Sequence, residues 1–555
     1  MHNNKRVQIY VCSSIVILFL IIISGAVMAQ DSLGANRLER NLVATVEGTV
    51  WAPNNAPGDV PTGEEIPVFG ARVQLMATTP PPIQQSVHCV DCATQPGTGV
   101  LTDQSGDFSL AVAPGTYWLV IRKGFFQLQR EITVADGLNT LQSSLTTLPA
   151  KTDAGLGDWA PKIALAIASF EPFETVLAKM GLGSVDGSGA FVIGSEAGFY
   201  DIYLNKGSHG SITATLTDLV SNLSTMNQYH VIIIPSSGSD HVAALNNQQN
   251  LRNIRDWVSA GGWLFASEWS GEWHDNVFPS RLQFADGDTP VSAYDPDTDT
   301  WNTAEFGDAD GPSFSSQNSE VGDIDLRAWL DPQSGPTTAS SSTTAFDPDL
   351  VNIPDIWGMV IGSTTVDLGI DAQGSTITDI PQIWLDSNYG LSLVRPTTTS
   401  YRAGSCGTVW YSTGKLAWTT PHLGLLAHER VSVYGLMEAG RCVVPAFPAT
   451  DGDLDGVPDI IDNCPMDSNP LQEDFDGDGT GYVCDMSCAS IIDFFWVFSN
   501  GDLFELLASD SVKFEGVMDS GSDIIFDGAQ SVVLKNNTRI RLGAQFRARN
   551  AGCIP

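Results

Sequence analysis

The sequence predicts a chain of several domains, rich in β-sheet, with a doubly wound α/β domain at its centre. Three observations predict this. At 555 residues the chain is longer than one hydrophobic core supports. Between about residues 160 and 443, near-continuous apolar runs alternate with amphipathic stretches, the rhythm of βα units, while short alternating runs with turn residues flank them. Finally, Asp451 to Asp485 holds ten Asp and one Glu with no Lys or Arg, a composition that cannot close a dry core by itself. The net charge of −37, with pI near 4.2, argues against nucleic acid as a partner, because a phosphate backbone is bound through Lys and Arg. With 43% hydrophobic residues the chain is otherwise ordinary globular material.

Residues 1–29 read as a secretory signal. Lys5 and Arg6 precede an apolar run from Val11 to Ile23, and Val27-Met28-Ala29 supplies a cleavage site before Gln30. The run is short for a spanning helix, so cleavage should leave no stable transmembrane segment and a product outside the cell or at its surface. Nine cysteines become eight when Cys12 leaves, and an even number in an exported chain favours disulfides. Pairing neighbours in sequence gives Cys89–Cys92, Cys406–Cys442, Cys464–Cys484 and Cys488–Cys553, although spacing alone does not fix connectivity. The lone Cys89-Val90-Asp91-Cys92 has no second ligand pair at zinc-finger spacing.

Residues 41–148 predict a small β-sandwich. Leu42 to Val50 alternates, Ala71 to Met76 follows Gly70, and Phe108 to Val112 passes through Pro114-Gly115 into Tyr117 to Arg122. The order VEGTVW, FGARVQL and TDQSGDFSLAVAPGTYWLVIRKGF resembles the carboxypeptidase regulatory-like domain. That resemblance implies a transthyretin-like fold used as a spacer or partner-binding module, without catalytic residues.

Residues 160–443 predict the α/β domain. Expected strands are Lys162 to Ser169, Ala190 to Ile193, Tyr229 to Pro235, Gly262 to Ser267 and Gly407 to Thr413, the apolar runs of a buried parallel sheet. Expected helices are Phe173 to Met180, Ile212 to Leu223, Asn250 to Ala260 and Leu423 to Glu438. The succession YHVIIIPSSGSD, AGGWLFASEWSGEW and GTVWYST resembles the class I glutamine amidotransferase-like fold, with residues 269–401 as an insertion. In that superfamily the turn after AGG presents a cysteine nucleophile. Here it reads Ser267-Glu268-Trp269-Ser270-Gly271, and no cysteine lies between Cys92 and Cys406. Acyl transfer through a thiolate therefore has no attacking group. Ser267 with His422, and Glu268 with His274, are the substitute pairs to weigh. No catalytic residue and no organic cofactor is assigned. Glu268, Trp269, Trp273, His274 and Asp275 instead follow the strand end where open α/β sheets place ligands, and Trp beside carboxylate suits a carbohydrate or protein ligand.

Residues 449–486 carry the metal chemistry. Crowded carboxylates repel one another until a hard divalent cation neutralises them, and Ca2+ takes six to eight oxygen ligands. With Asp451 at position one, Asp453, Asp455, Asp459 and Asp462 fall at three, five, nine and twelve, Gly456 at the turn, and Val457 offers its carbonyl at seven. The pattern recurs with Asp474, Asp476, Asp478, Gly479, Thr480 and Asp485. DGDLDGVPD, DNCP, Asn469-Pro470, DFDGDG and Cys484-Asp485 resemble the thrombospondin type-3 repeat, which implies calcium on the aspartates and disulfide-bonded cysteines. Farther upstream, Asp295, Asp297 and Asp299 alternate in a solvated loop without the turning glycine.

Residues 488–555 predict a small β-stack, with Val512 to Phe514, Ile524 to Phe526, Val532 to Leu534 and Gln545 to Ala548 recurring about every ten residues. SVVLKNNTRIRLGAQFRAR resembles the terminal β-stack modules of bacterial exported proteins. The expected whole is a secreted, calcium-binding protein with a binding, adhesive or structural role. The contrasting expectation is an extracellular hydrolase working on polysaccharide or peptide in the α/β cleft.

Overall fold

The computed structural model describes residues 44–92, 99–206, 208–237, 244–279, 281–285, 294–295, 300–301, 313–336, 343–371, 373–388, 394–446, 453, 462–467, 480, 484, 491–498, 503–508, 511–528, 530–536 and 538–549. The chain divides into Met1–Leu42, outside those residues, and Val43–Pro555. Sheet dominates the second unit, with thirty-two strands against seven α-helices among the described residues. No helix among them is long and apolar enough to cross a membrane.

The N-terminal segment is a two-sheet β structure. Strands β1 (Ala44–Thr49), β2 (Arg72–Met76), β3 (Val100–Leu101), β4 (Asp107–Val112), β5 (Gly115–Lys123), β6 (Phe126–Val134), β7 (Leu138–Thr140) and β8 (Asp158–Trp159) form sheets ordered β4-β1-β7 and β3-β2-β5-β6-β8. Alternate residues point inward, so Val46 and Phe108 of the first sheet and Val73, Leu119, Ile121 and Leu128 of the second are buried in one core. Gly106 turns into β4 at φ 77°, and a Cβ there would stand 2.7 Å from the Val50 carbonyl.

The central domain carries one nine-stranded sheet. Strands β9 (Ile163–Ile167), β10 (Asp201–Leu204), β11 (Val231–Ile234), β12 (Trp263–Ser267), β13 (Phe314–Val321), β14 (Leu350–Ile356), β15 (Gln382–Ser387), β16 (Arg395–Ala403) and β17 (Gly407–Ser412) run in the order β10-β9-β11-β12-β17-β16-β15-β13-β14. The first five are mutually parallel and the last four antiparallel. Residues 269–401 are thus not a separate insertion: they supply β13 to β15 and most of β16, which pair onward from β17. The parallel strands bury both faces, as their unbroken apolar sequences require. Leu165, Ile233 and Phe265 join the core shared with helices α1 (Phe173–Lys179) and α7 (Ala427–Glu438). Ala164, Ile232 and Leu264 join a second core with α2 (Leu216–Val220) and α4 (Gln248–Ser259). Two short helices, α3 (Leu223–Met226) and α5 (Glu272–Asp275), and α6 (Ile324–Leu330) complete the set.

Two expected elements differ. Ala190 to Ile193 is not a strand; Val192 and Ile193 are exposed, and the edge position beside β9 belongs to β10, whose half-buried DIYL carries a weaker apolar signal. The helix expected over Ile212 to Leu223 begins at Leu216, where Thr215 and Asp218 form a capping box, and breaks at Asn222, whose side chain caps α3.

The first core runs without interruption from the N-terminal sheets into the α/β domain. Phe125 stacks on His230 with centroids 4.3 Å apart. His230 Nδ1 accepts from the Lys162 amide at 2.9 Å, so Nε2 carries the proton and donates to the Gln84 carbonyl at 2.8 Å. Burial holds this imidazole neutral, pushing its pKa down to about 4.

Disulfides reinforce the same junction. The pairs are Cys89–Cys406, Cys92–Cys442 and Cys464–Cys484. The last is as expected, whereas the proposed Cys89–Cys92 and Cys406–Cys442 pairs are wrong. The physical reason is a strand-like pairing across the junction: Cys92 N donates to Val443 O and Val443 N to Val90 O, both within 3.0 Å. Extended backbone at Val90 to Cys92 splays the two cysteines toward different partners. Cys488 and Cys553 lie outside the described residues.

The C-terminal segment coils into a parallel two-sheet stack. Strands β18 (Ile491–Phe498), β20 (Ser511–Met518) and β22 (Ser531–Leu534) pair in parallel, as do β19 (Leu503–Ala508), β21 (Asp523–Gly528) and β23 (Gln545–Arg549). Ile491 aligns with Ser511 and Ser511 with Ser531, so each coil advances by a fixed length of chain. Val512, Phe514, Ile524 and Phe526 fill the space between the sheets.

Candidate functional site

The C-terminal ends of the parallel strands converge on Glu171, which lies just beyond β9 and is fully buried. Its carboxylate accepts the Ser267 hydroxyl, the Ser236 amide at 2.9 Å, the Ala417 amide at 3.1 Å and the Leu416 amide. One side chain therefore ties together the ends of β9, β11, β12 and β17. Burial raises its pKa, and these four donors work against that rise.

Glu268 follows directly. It sits at the sharp turn out of β12, 3% exposed, at φ 44°. Left-handed backbone at a residue with a Cβ costs about 1–3 kcal/mol and persists where the surroundings enforce it. Here Tyr411 Oη donates to the Glu268 carbonyl at 3.0 Å and Ser270 Oγ to the Pro235 carbonyl at 2.9 Å, holding the turn from both sides. Among the described residues only Asn54, Glu268 and Asp355 combine a side chain with positive φ. Two of the three meet here, since Asp355, at φ 43°, pairs with Lys415 at 2.6 Å and both charges act on Glu268. Burial and the negative charge of Glu171 push the Glu268 carboxyl up to about 9, with Ser236 and Lys415 opposing them. At neutral pH it is a protonated, donating carboxylic acid, and its Oε1 makes no hydrogen bond.

Aromatic rings flank this acid. Trp269 stands edge-on to Trp357 (5.3 Å) and to Phe170 (5.9 Å), which is itself 43% exposed, and Trp269 Nε1 makes no hydrogen bond. The other residues expected around the cleft are elsewhere. Trp273 is 1% exposed within the second core. His274 is fully buried among Phe284, Tyr401 and Tyr411, with Nδ1 at 3.1 Å from Tyr401 Oη, and burial lowers its pKa to about 3. Asp275 is buried as well. They belong to helix α5, whose short turn carries them beneath the strand end rather than over it.

The substitute catalytic pairs do not form. The Ser267 hydroxyl is engaged by Glu171. His422 instead joins Glu429 (3.0 Å) and Lys179 (2.8 Å) under the N-terminus of α7. Burial would raise Glu429, but the hydrogen bond from His422 and the charge of Lys179 outweigh it and hold the carboxylate down to about 2. This trio also binds backbone, with Glu429 accepting from the amides of Trp418 and Leu426. Sequence reasoning missed Glu171, Asp355 and Lys415, because their partnership arises only when segments far apart in the chain meet.

Of the calcium ligand set, Asp453, Asp462 and Thr480 are described. Asp451, Asp455, Val457, Asp459, Asp474, Asp476, Asp478 and Asp485 lie outside the described residues, as do Asp297 and Asp299. Asp462 is 9% exposed and accepts from the Cys464 amide at 2.7 Å, beside the Cys464–Cys484 bridge that ties the two acidic loops to each other. The donor set remains all-oxygen and fits a hard cation. Among the described residues no three His, Cys, Asp or Glu side chains converge as a metal centre.

No protein-family model matches this chain, and no curated protein matches it, so the strand-end turn at Glu268 and the acidic stretch carry the functional reading.

Proposed function

We propose that this chain is an exported, calcium-binding protein of several domains whose α/β unit holds a carbohydrate or protein ligand at its strand ends without turning it over. In this reading the N-terminal sheets are the carboxypeptidase regulatory-like module, the centre is a glutamine amidotransferase-like fold put to binding, and the acidic stretch is a thrombospondin type-3 repeat. The observation that carries it is Glu268: a buried, protonated acid with a free oxygen occupies the strained turn where such a fold displays its nucleophile. A carboxylic acid flanked by Trp269 and Phe170 donates and accepts hydrogen bonds but attacks nothing. Three disulfides support an oxidising destination.

Calcium enters by mass action. It binds the folded acidic loops and not the extended chain, so a concentration of about 100 Kd stabilises the repeat by about 2.7 kcal/mol. Calorimetric titration of the chelator-treated protein should show saturable calcium uptake, weakened at least about tenfold by Asp453→Asn with Asp476→Asn. No heat of binding would remove the calcium reading.

A second reading has one observation in its favour. Two carboxyls, Glu171 and Glu268, lie close enough at the strand ends for one to raise the other, as paired acids do in glycoside hydrolases. Release of reducing ends from a polysaccharide, abolished by Glu268→Gln, would replace binding with hydrolysis.

A further inference from the structure

A separate pocket opens on the other side of helix α1. It encloses about 380 Å³ and is lined by Glu174, Thr175, Phe191, Lys206, His209 and Trp418. Its volume falls in the range of small-ligand sites. What distinguishes it is the number of buried polar atoms that the fold leaves unanswered. Glu174 Oε2 and His209 Nε2, in its lining, make no hydrogen bond, nor does Tyr200 Oη, which is not part of the lining. Tyr200 is 6% exposed and His209 5%. Buried polar atoms without partners are rare in folded proteins, because each costs about 1–3 kcal/mol.

Glu196 knits the three together. Its Oε1 lies 3.5 Å from His209 Nε2, an ionic contact too long for a good hydrogen bond, while its other oxygen accepts the Gly194 amide at 2.7 Å. Its charge also reaches both Glu174 and Tyr200. Burial and the neighbouring Glu171 and Glu196 push Glu174 up to about 7, so near neutrality it offers a hydrogen as readily as a lone pair. Imidazole and phenol do likewise. Phe191, packed on His209 with centroids 5.7 Å apart, and Trp418 supply apolar wall.

We propose that this pocket binds one pyranose unit of a glycan. The unanswered Glu174 carboxyl and His209 imidazole can between them supply a donor and an acceptor, which a ring of hydroxyls answers, and aromatic walls suit the C–H faces of such a ring. Glu268 is not among its lining residues, so the proposal stands whether or not the Glu268 turn binds anything.

The test uses the purified full chain and the methyl glycosides of glucose, galactose, mannose, xylose and N-acetylglucosamine, followed by calorimetry and by tryptophan fluorescence. At least one should bind saturably. Glu174→Gln and His209→Asn, both in the lining, should each weaken it at least about tenfold, the loss expected when a bound hydroxyl leaves a buried partner unpaired. Binding that is lost in Glu268→Gln yet kept in both of these variants would place the sugar at the Glu268 turn instead and overturn the proposal. Far-ultraviolet dichroism and melting temperature confirm that the variants fold. Absence of saturable binding to every glycoside overturns the proposal. So do undiminished affinity in both variants, or binding confined to ammonium ligands such as lysine or putrescine.

Discussion

Glu268 makes a pH dependence that can be worked out from its own chemistry. Below its ordinary pKa of 4.5 the carboxyl is protonated in folded and unfolded chains alike, and its titration contributes nothing to stability. As pH rises from there toward about 9, the unfolded carboxyl ionises while the folded one keeps its proton, so stability falls. Gln does not titrate. Glu268→Gln should therefore stabilise the protein more at about pH 8 than at about pH 4.5, by on the order of 4 kcal/mol in urea denaturation at the two pH values. An equal effect at both would mean that the side chain is solvated and ionised. Glu429 has the opposite sign: it is depressed in the fold, so its contribution is present above 4.5 and disappears as pH falls toward 2. At this scale the sequence was half legible. The turn Ser267-Glu268-Trp269 identified the strand end, because the apolar run breaks off at Ser-Glu, although both residues are buried. Glu171 and Lys415 could not be read, since nothing local distinguishes a carboxylate that collects a hydroxyl and three amides from the ends of three other strands.

Elements were legible where the apolar period was strong. Strands β9, β11, β12 and β17 lie within their expected spans because both faces are buried and every residue is apolar or small. The failures were of two kinds. Edge strand β10 alternates only weakly, and the exposed AFVI beside it read more like a strand than the true one. The antiparallel strands β13 to β16 are rich in Ser, Thr and Asp, so they looked like solvated loop until a neighbouring strand gave their backbones partners. The cysteines misled for a related reason: sequence proximity is irrelevant once the Val90 to Cys92 segment pairs with Val443. Replacing Cys92 and Cys442 together with Ser should lower stability by about 2–5 kcal/mol, read as a drop in urea midpoint. The Cys89–Cys406 bridge would still close an overlapping loop of 317 residues' separation, so the double Cys92–Cys442 variant should lose less than the quadruple one. Equal losses would contradict this.

For the whole molecule, the N-terminal sheets and the α/β domain behave as one body, because a single core, the stacked Phe125–His230 pair and two disulfides span them. Composition announced several domains, and it could not announce that two of them share an interior. The C-terminal stack is different in kind, a one-dimensional pile in which Arg541 meets Asp519 and Arg547 meets Asp523 across successive coils. Arg541 and Arg547 thus answer acids of the preceding coil. The two interleaved bridges also determine how the molecule would carry a pull applied through its two ends. Force would cross from Cys92 directly to Cys442, a sequence separation of 350, and would leave the sheet between them slack. Single-molecule stretching should accordingly reveal roughly 1,200 Å of additional contour only after a reductant is added. The covalent shortcut makes the α/β part of this protein a passenger in tension rather than a link.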